Sequence, residues 1–98
     1  MTEDEKASKL ARARDRNTCR FGLPGCTRRA TGVHHIYGRM ILHLRYNLLN
    51  LLSACQNCHC WIEENPVEGH EVCRKVMCEF DWNELHRIAK NIEWEKEQ

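Results

Sequence analysis

Seven cysteines in a chain of 98 residues constrain the fold more than any other feature. A chain this short buries a modest share of its surface, and small domains commonly rely on metals or disulfides for stability. An odd cysteine count argues against a closed disulfide framework. The opening "MTEDEKASKLARARDR" is charged throughout, unlike the apolar leader of a secreted protein, so a reducing, intracellular setting is expected. Four of the cysteines fall into two pairs. Cys19 and Cys26 bracket a turn in "CRFGLPGC", where Gly22, Pro24 and Gly25 bring the sulfurs together, and Cys55 and Cys58 form a CxxC at the start of an expected helix. Four thiolates converging tetrahedrally suit zinc, whose filled d shell imposes no geometry of its own. A redox CxxC would leave Cys19 and Cys26 unexplained. Cys60, Cys73 and Cys78 are read as small apolar packing residues.

Charge is divided along the chain. The net value of +1 conceals +6 over residues 1–60 and −5 over residues 61–98, and Asp15 is the sole acid between Lys6 and Arg45. The front half therefore offers a basic face able to neutralise a phosphate backbone, with an ordinary solvated surface as the plainer reading. No apolar run approaches the ~20 residues of a membrane span; the nearest, "LLNLLSAC", is interrupted by polar groups. No membrane association is expected.

The pattern predicts one domain of α+β class without repeats or long linkers. Residues 1–17 form a basic N-terminal helix or a frayed arm, residues 18–66 a metal-bound core, and residues 67–98 a helical cover. Thr2 with Glu5 reads as a capping box, although only Leu10 and some alanines offer an apolar stripe. "TGVHHIY" reads as a strand ended by Gly38, "LRYNLLNLLSAC" returns toward the CxxC, and "QNCHCWIEEN" reads as a helix stopped by Pro66. In the tail, Asp81 and Glu84 signal a helix start, and Leu85, Ile88, Ala89 and Ile92 follow helical spacing.

Two histidines stand side by side in "GVHHIYGR". Neighbours on a strand point to opposite faces, so one imidazole can bind a metal while the other reaches over it. His59 directly follows Cys58, and Glu63 lies one helical turn further on, the spacing that sets two ligands on one face. His34, His59 and, as a candidate third, Glu63 would give a divalent cation protein ligands and leave positions open for phosphate and water. Taken singly, each has a plainer explanation: an incidental pair, a turn-capping Asn50, a histidine beside a zinc site. Their joint spacing around one CxxC carries the argument. His43, His70 and His86 are read as surface residues.

This arrangement resembles the HNH endonucleases, built on the ββα-metal motif, and among them the small zinc-bearing members of phages and prophages. The resemblance rests on "VHHI", on Asn50 in "YNLLNLL" and on "CQNCH", covering about half the chain between Cys19 and Pro66. It implies His34 and His59 as metal ligands, His35 as general base, and Asn50 as the residue fixing the loop that holds the base. Where family members often carry a histidine ligand this chain has Glu63, which shifts preference toward harder cations such as Mg²⁺ or Mn²⁺. The implied activity is metal-dependent hydrolysis of duplex DNA, leaving 5′-phosphate and 3′-hydroxyl ends, in the cytoplasm of a bacterial or phage-infected cell. Arg28, Arg29, Arg39 and Arg45 are the candidate phosphate contacts. Two alternatives stay open: a catalytically inactive zinc module that binds DNA or a protein, and an RNA-cleaving nuclease.

Overall fold

The computed structural model describes residues 2–97, with side chains for residues 2–90. It is an α+β protein in the order α1 (Glu3–Arg14), β1 (Gly32–His35), α2 (Leu42–Arg45), a 3₁₀ turn (Leu48–Asn50), β2 (Leu51–Ala54), α3 (Gln56–Glu64), α4 (Pro66–Val76) and α5 (Glu79–Glu97). β1 and β2 form a two-stranded antiparallel sheet in which His34 faces Leu52 and His35 faces Leu51. The strand ends at His35, two residues short of the expected Tyr37, though the Ile36 N–H still donates to the Asn50 carbonyl at 3.0 Å.

A two-stranded sheet cannot support itself in water, so each face needs a cover. One face takes α1. Thr2 caps this helix by accepting the Glu5 N–H at 3.1 Å, and Ala7 and Ala11 are buried against Leu51 with Val33 beside them. The expectation of an apolar stripe through Leu10 is corrected: Leu10 is 59% exposed, and the small alanines make the contact by letting the helix approach the strand closely. Of the two readings of residues 1–17, the structure has the helix, over Glu3–Arg14.

The C-terminal end of α1 is fastened by Asp15. Its carboxylate accepts from Arg14 at 2.9 and 2.8 Å and from the Ser53 N–H of β2 at 3.3 Å, and it pairs with Arg20 at 3.7 Å. Arg14 also donates to the Leu48 and Leu51 carbonyls at 2.7 and 2.6 Å. Part of the basic sequence is thus consumed internally.

The other face carries the main core. Leu44, Leu52, Ala54, Cys55, Cys58, Ile62, Cys73, Met77, Leu85 and Ala89 join Cys19 and Phe21 in one buried cluster. Full burial of each leucine contributes roughly 1.5–3 kcal/mol. α3 ends where expected, and Pro66 occupies the first turn of α4, where its missing N–H costs nothing. α5 begins two residues before the expected Asp81, with the Cys78 sulfur accepting the Asp81 N–H at 3.4 Å. Of the helical-spacing residues, Leu85 and Ala89 are buried and Ile88 packs against them, while the Ile92 side chain lies outside the described residues. Cys73 packs as expected, but Cys60 and Cys78 are exposed. No helix among the described residues is long and apolar enough to cross a membrane.

Candidate functional site

The turn between Cys19 and Cys26 is built as its sequence dictates. Pro24 and Gly25 occupy its central positions, Gly25 adopts φ +88°, and the Cys26 N–H closes the turn on the Leu23 carbonyl at 2.9 Å. Asn57 of α3 reaches across to the Gly25 carbonyl at 2.8 Å, tying turn to helix. Cys55 caps α3, its sulfur accepting the Cys58 N–H at 3.4 Å, and the Arg28 N–H donates to the Cys26 sulfur at 3.2 Å with Arg28 at φ +68°.

As a result Cys19, Cys26, Cys55 and Cys58 bring their sulfurs within 4.8 Å of one another, a cluster that could hold a metal ion such as zinc. A tetrahedron with Zn–S bonds of ~2.3 Å has edges of about 3.8 Å, and the Cys26 and Cys55 sulfurs are 3.9 Å apart. That edge already has the tetrahedral length, and the four thiol donors suit such an ion. Burial disfavours the Cys55 thiolate, but N–H donors from Cys58 and Thr27 and the Thr27 hydroxyl outweigh it and bring the group down to about 6. Cys58 moves upward through burial and the crowding of its sulfur neighbours, the strain that a bound cation relieves.

A second cluster lies one residue further along α3. His34, on the face of β1 turned toward α3, meets His59 and Glu63, and their ligand atoms lie within 4.8 Å of one another. The His34 and His59 rings meet edge to face at 5.5 Å, and Phe21 braces His34 from the other side at 6.1 Å. His59 Nε2 stands 3.4 Å from the Glu63 carboxylate. Nδ1 of His34 and of His59 are buried and have no hydrogen-bond partner among the described residues. A buried nitrogen left unpaired is costly, and two in one cluster fit a cation-binding donor set. Burial, followed by repulsion from His59, lowers His34 to about 4 against the pull of Glu63, so its ring is neutral near pH 7, the form that ligates metals.

His35 points to the opposite face. It lines a cleft of about 390 Å³ with Val33, Gly38, Arg39, His59 and Glu63. Burial and then the Arg39 charge lower its affinity for protons, partly opposed by the Arg45 backbone. Asn50, fully buried, holds the loop that follows. Its Oδ1 accepts the Tyr37 N–H at 2.6 Å, and its Nδ2 donates to the Tyr37 and Leu44 carbonyls at 3.0 Å each. Asn47 instead caps the 3₁₀ turn, accepting the Leu49 N–H at 2.9 Å.

The four candidate arginines are unequally placed. Arg39 lies at the cleft; Arg28 and Arg29 are exposed beside the cysteine cluster. The Arg45 guanidinium is held by Asp4 through bonds of 2.8 and 3.2 Å. Asp4 also lines the neighbouring cavity with Ser8, His35 and His59, a position that nothing in the local sequence signals. Of the histidines read as surface residues, His43 and His70 are exposed, but His86 is half-buried, its ring 5.5 Å from that of Tyr37 and 4.3 Å from that of Trp82. His70 lines a cavity with His34, His35 and Glu63. Comparison of the chain with protein-family models, with curated proteins and with solved structures finds no match.

Proposed function

We propose that this chain is a metal-dependent DNA endonuclease of the HNH type, with zinc at Cys19, Cys26, Cys55 and Cys58. One observation carries the reading. Adjacent histidines on β1 go to opposite faces, so that His34 completes a cation-binding cluster with His59 and Glu63 while His35 opens onto the cleft that His59 and Glu63 share. That division of labour is what phosphodiester hydrolysis requires: one site for charge stabilisation and one proton acceptor beside it.

In this mechanism His35, neutral near pH 7, accepts the proton of the attacking water. Asn50 keeps the loop from Ile36 to Leu44 in register, so the His35 ring stays aimed at the cleft. Arg39 draws the neighbouring phosphate to the cleft mouth. His34, His59 and Glu63 would hold a divalent cation, Mg²⁺ or Mn²⁺ by the carboxylate's preference, which would supply charge stabilisation for the phosphate.

The test is conversion of supercoiled plasmid to nicked or linear forms across several divalent cations, with EDTA as the stop. His35→Ala is expected to lower the rate by ~10² to 10⁴ while leaving zinc content, folding and DNA binding unchanged. His59→Ala is expected to be partly restored by added Mn²⁺, whereas no cation concentration replaces the proton acceptor lost in His35→Ala. Equal cleavage by wild type and both variants would sink the assignment and favour the inactive zinc module. Preferential cleavage of RNA under the same conditions would change the substrate.

A further inference from the structure

Beside the cleft, the chain turns sharply over Gly38–Ile41, with the Ile41 N–H bonded to the Gly38 carbonyl at 3.1 Å. Arg39 and Met40 are the two central residues of this turn. Arg39 lines the cleft with His35 and His59, while Met40 is 91% exposed at the tip. Leu42, on the first turn of α2, is 69% exposed, and Tyr46 at the end of α2 is also exposed.

Met40 is the most exposed large apolar side chain among the described residues, Leu42 stands two residues from it, and the platform beneath them is fixed. Leu44 is fully buried, Ile41 packs against the core, and Asn50 donates to the Leu44 carbonyl. The tip is therefore held outward by a rigid base. In sequence no Asp or Glu occurs between Asp15 and Glu63; in space Asp4 is held by Arg45 and Glu63 lies across the cleft, leaving Arg39 as the cation at the base of the tip.

We propose that Met40 and Leu42 form an apolar wedge that enters a nucleic-acid base stack next to the scissile phosphate, with Arg39 on the adjoining backbone. The inference rests on the nuclease reading and deepens it, naming a locally unstacked or easily kinked duplex as the preferred substrate. The chemistry is that of side chains that insert between base steps: an apolar tip replaces the lost stacking contact while a neighbouring arginine neutralises phosphate. A base step that is already weakened gives up less on insertion, so discrimination between weak and intact steps is the signature. Adjacency in the turn to Arg39, which lines the cleft with His35, favours nucleic acid over a lipid surface.

The zinc-loaded full chain is titrated with two short fluorescent duplexes of one sequence, perfectly paired or carrying a single mismatch, with Ca²⁺ replacing Mg²⁺. Wild type is expected to favour the mismatched duplex by about tenfold. The double variant Met40→Ser, Leu42→Ser should bring that ratio near one, with unchanged zinc content and circular dichroism because both positions are exposed. Arg39→Gln should weaken both duplexes together and leave the ratio intact. Equal binding of the two duplexes by wild type, or a double variant that keeps the wild-type ratio, would overturn the wedge alone. Absence of binding to either duplex would overturn the nucleic-acid reading and the wedge with it. Loss of adsorption to anionic vesicles in the double variant with the ratio preserved would assign the tip to a membrane and likewise overturn the proposal.

Discussion

Asn50 and Asp15 show how single polar side chains hold this molecule to one conformation. The three hydrogen bonds of Asn50, each contributing about 1 kcal/mol, lock the loop after His35 from inside the core. Asp15 joins the end of α1 to Arg20 and β2. Burial works against its charge, yet the hydrogen bonds from Arg14 and Ser53 and the charges of Arg14 and Arg20 prevail and hold its carboxyl below the usual value. A folded-state value below the unfolded one stabilises the fold above the unfolded value and loses that stabilisation as pH falls through the folded one. Wild type should therefore exceed Asp15→Asn in melting temperature by a constant margin above about pH 5, and the gap should close below about pH 4. A margin that stays constant to pH 2, or widens on acidification, would contradict this role. At this scale the cysteines were legible because turn chemistry and the CxxC spacing are local. Asn50 was legible only through the resemblance that "YNLLNLL" carries. The Arg45–Asp4 pair was not legible, because its partners lie 41 residues apart and meet only through the docking of α1.

Elements are positioned as much by small residues as by large ones. Gly69 lets α4 lie directly on α3: a Cβ there would stand 2.6 Å from Ile62 Cγ2, 3.1 Å from its carbonyl oxygen and 3.2 Å from its Cα. Ile62 is buried and β-branched, so its Cγ2 has little freedom to move, and the backbone atoms have none. Replacing glycine by alanine inside a helix ordinarily gains up to about 1 kcal/mol, whereas overpacking costs about 1–3 kcal/mol. Gly69→Ala is expected to destabilise by about 1–2 kcal/mol in urea unfolding, the gain offsetting part of the strain. A neutral or stabilising result would show that α3 and α4 separate freely. The same principle explains why α1 was ambiguous from sequence: a helix docking through alanines has no strong apolar stripe to read. The start of α5 was misplaced because Cys78, rather than Asp81, stands at the cap: its sulfur accepts the Asp81 N–H and its carbonyl the Trp82 N–H.

Across the whole molecule, residues 19–26 and 55–58 meet at one point, closing a stretch that contains both His34 and His35. About one zinc per chain is expected by elemental analysis of protein purified without chelator, because four thiolates at this spacing match the metal's bond lengths. Cys55→Ser should lose both the zinc and the folded circular dichroism spectrum, since the sulfur is also the cap of α3. Retention of an intact fold without zinc would refute the assignment. The α+β class and the convergence of the four cysteines were readable in advance; the docking of α1 across the sheet was not, because it depends on long-range shape. Cys58 and His59 are consecutive on α3, so the first turn of this helix serves both clusters. Each residue added to a helix rotates everything beyond it by about 100° and advances it by about 1.5 Å. An insertion between Cys58 and Glu63 would carry the carboxylate away from His34 while leaving the four sulfurs untouched. Variation in chain length is therefore forbidden along α3 between Cys58 and Glu63, where the reading frame of the helix is itself part of the site.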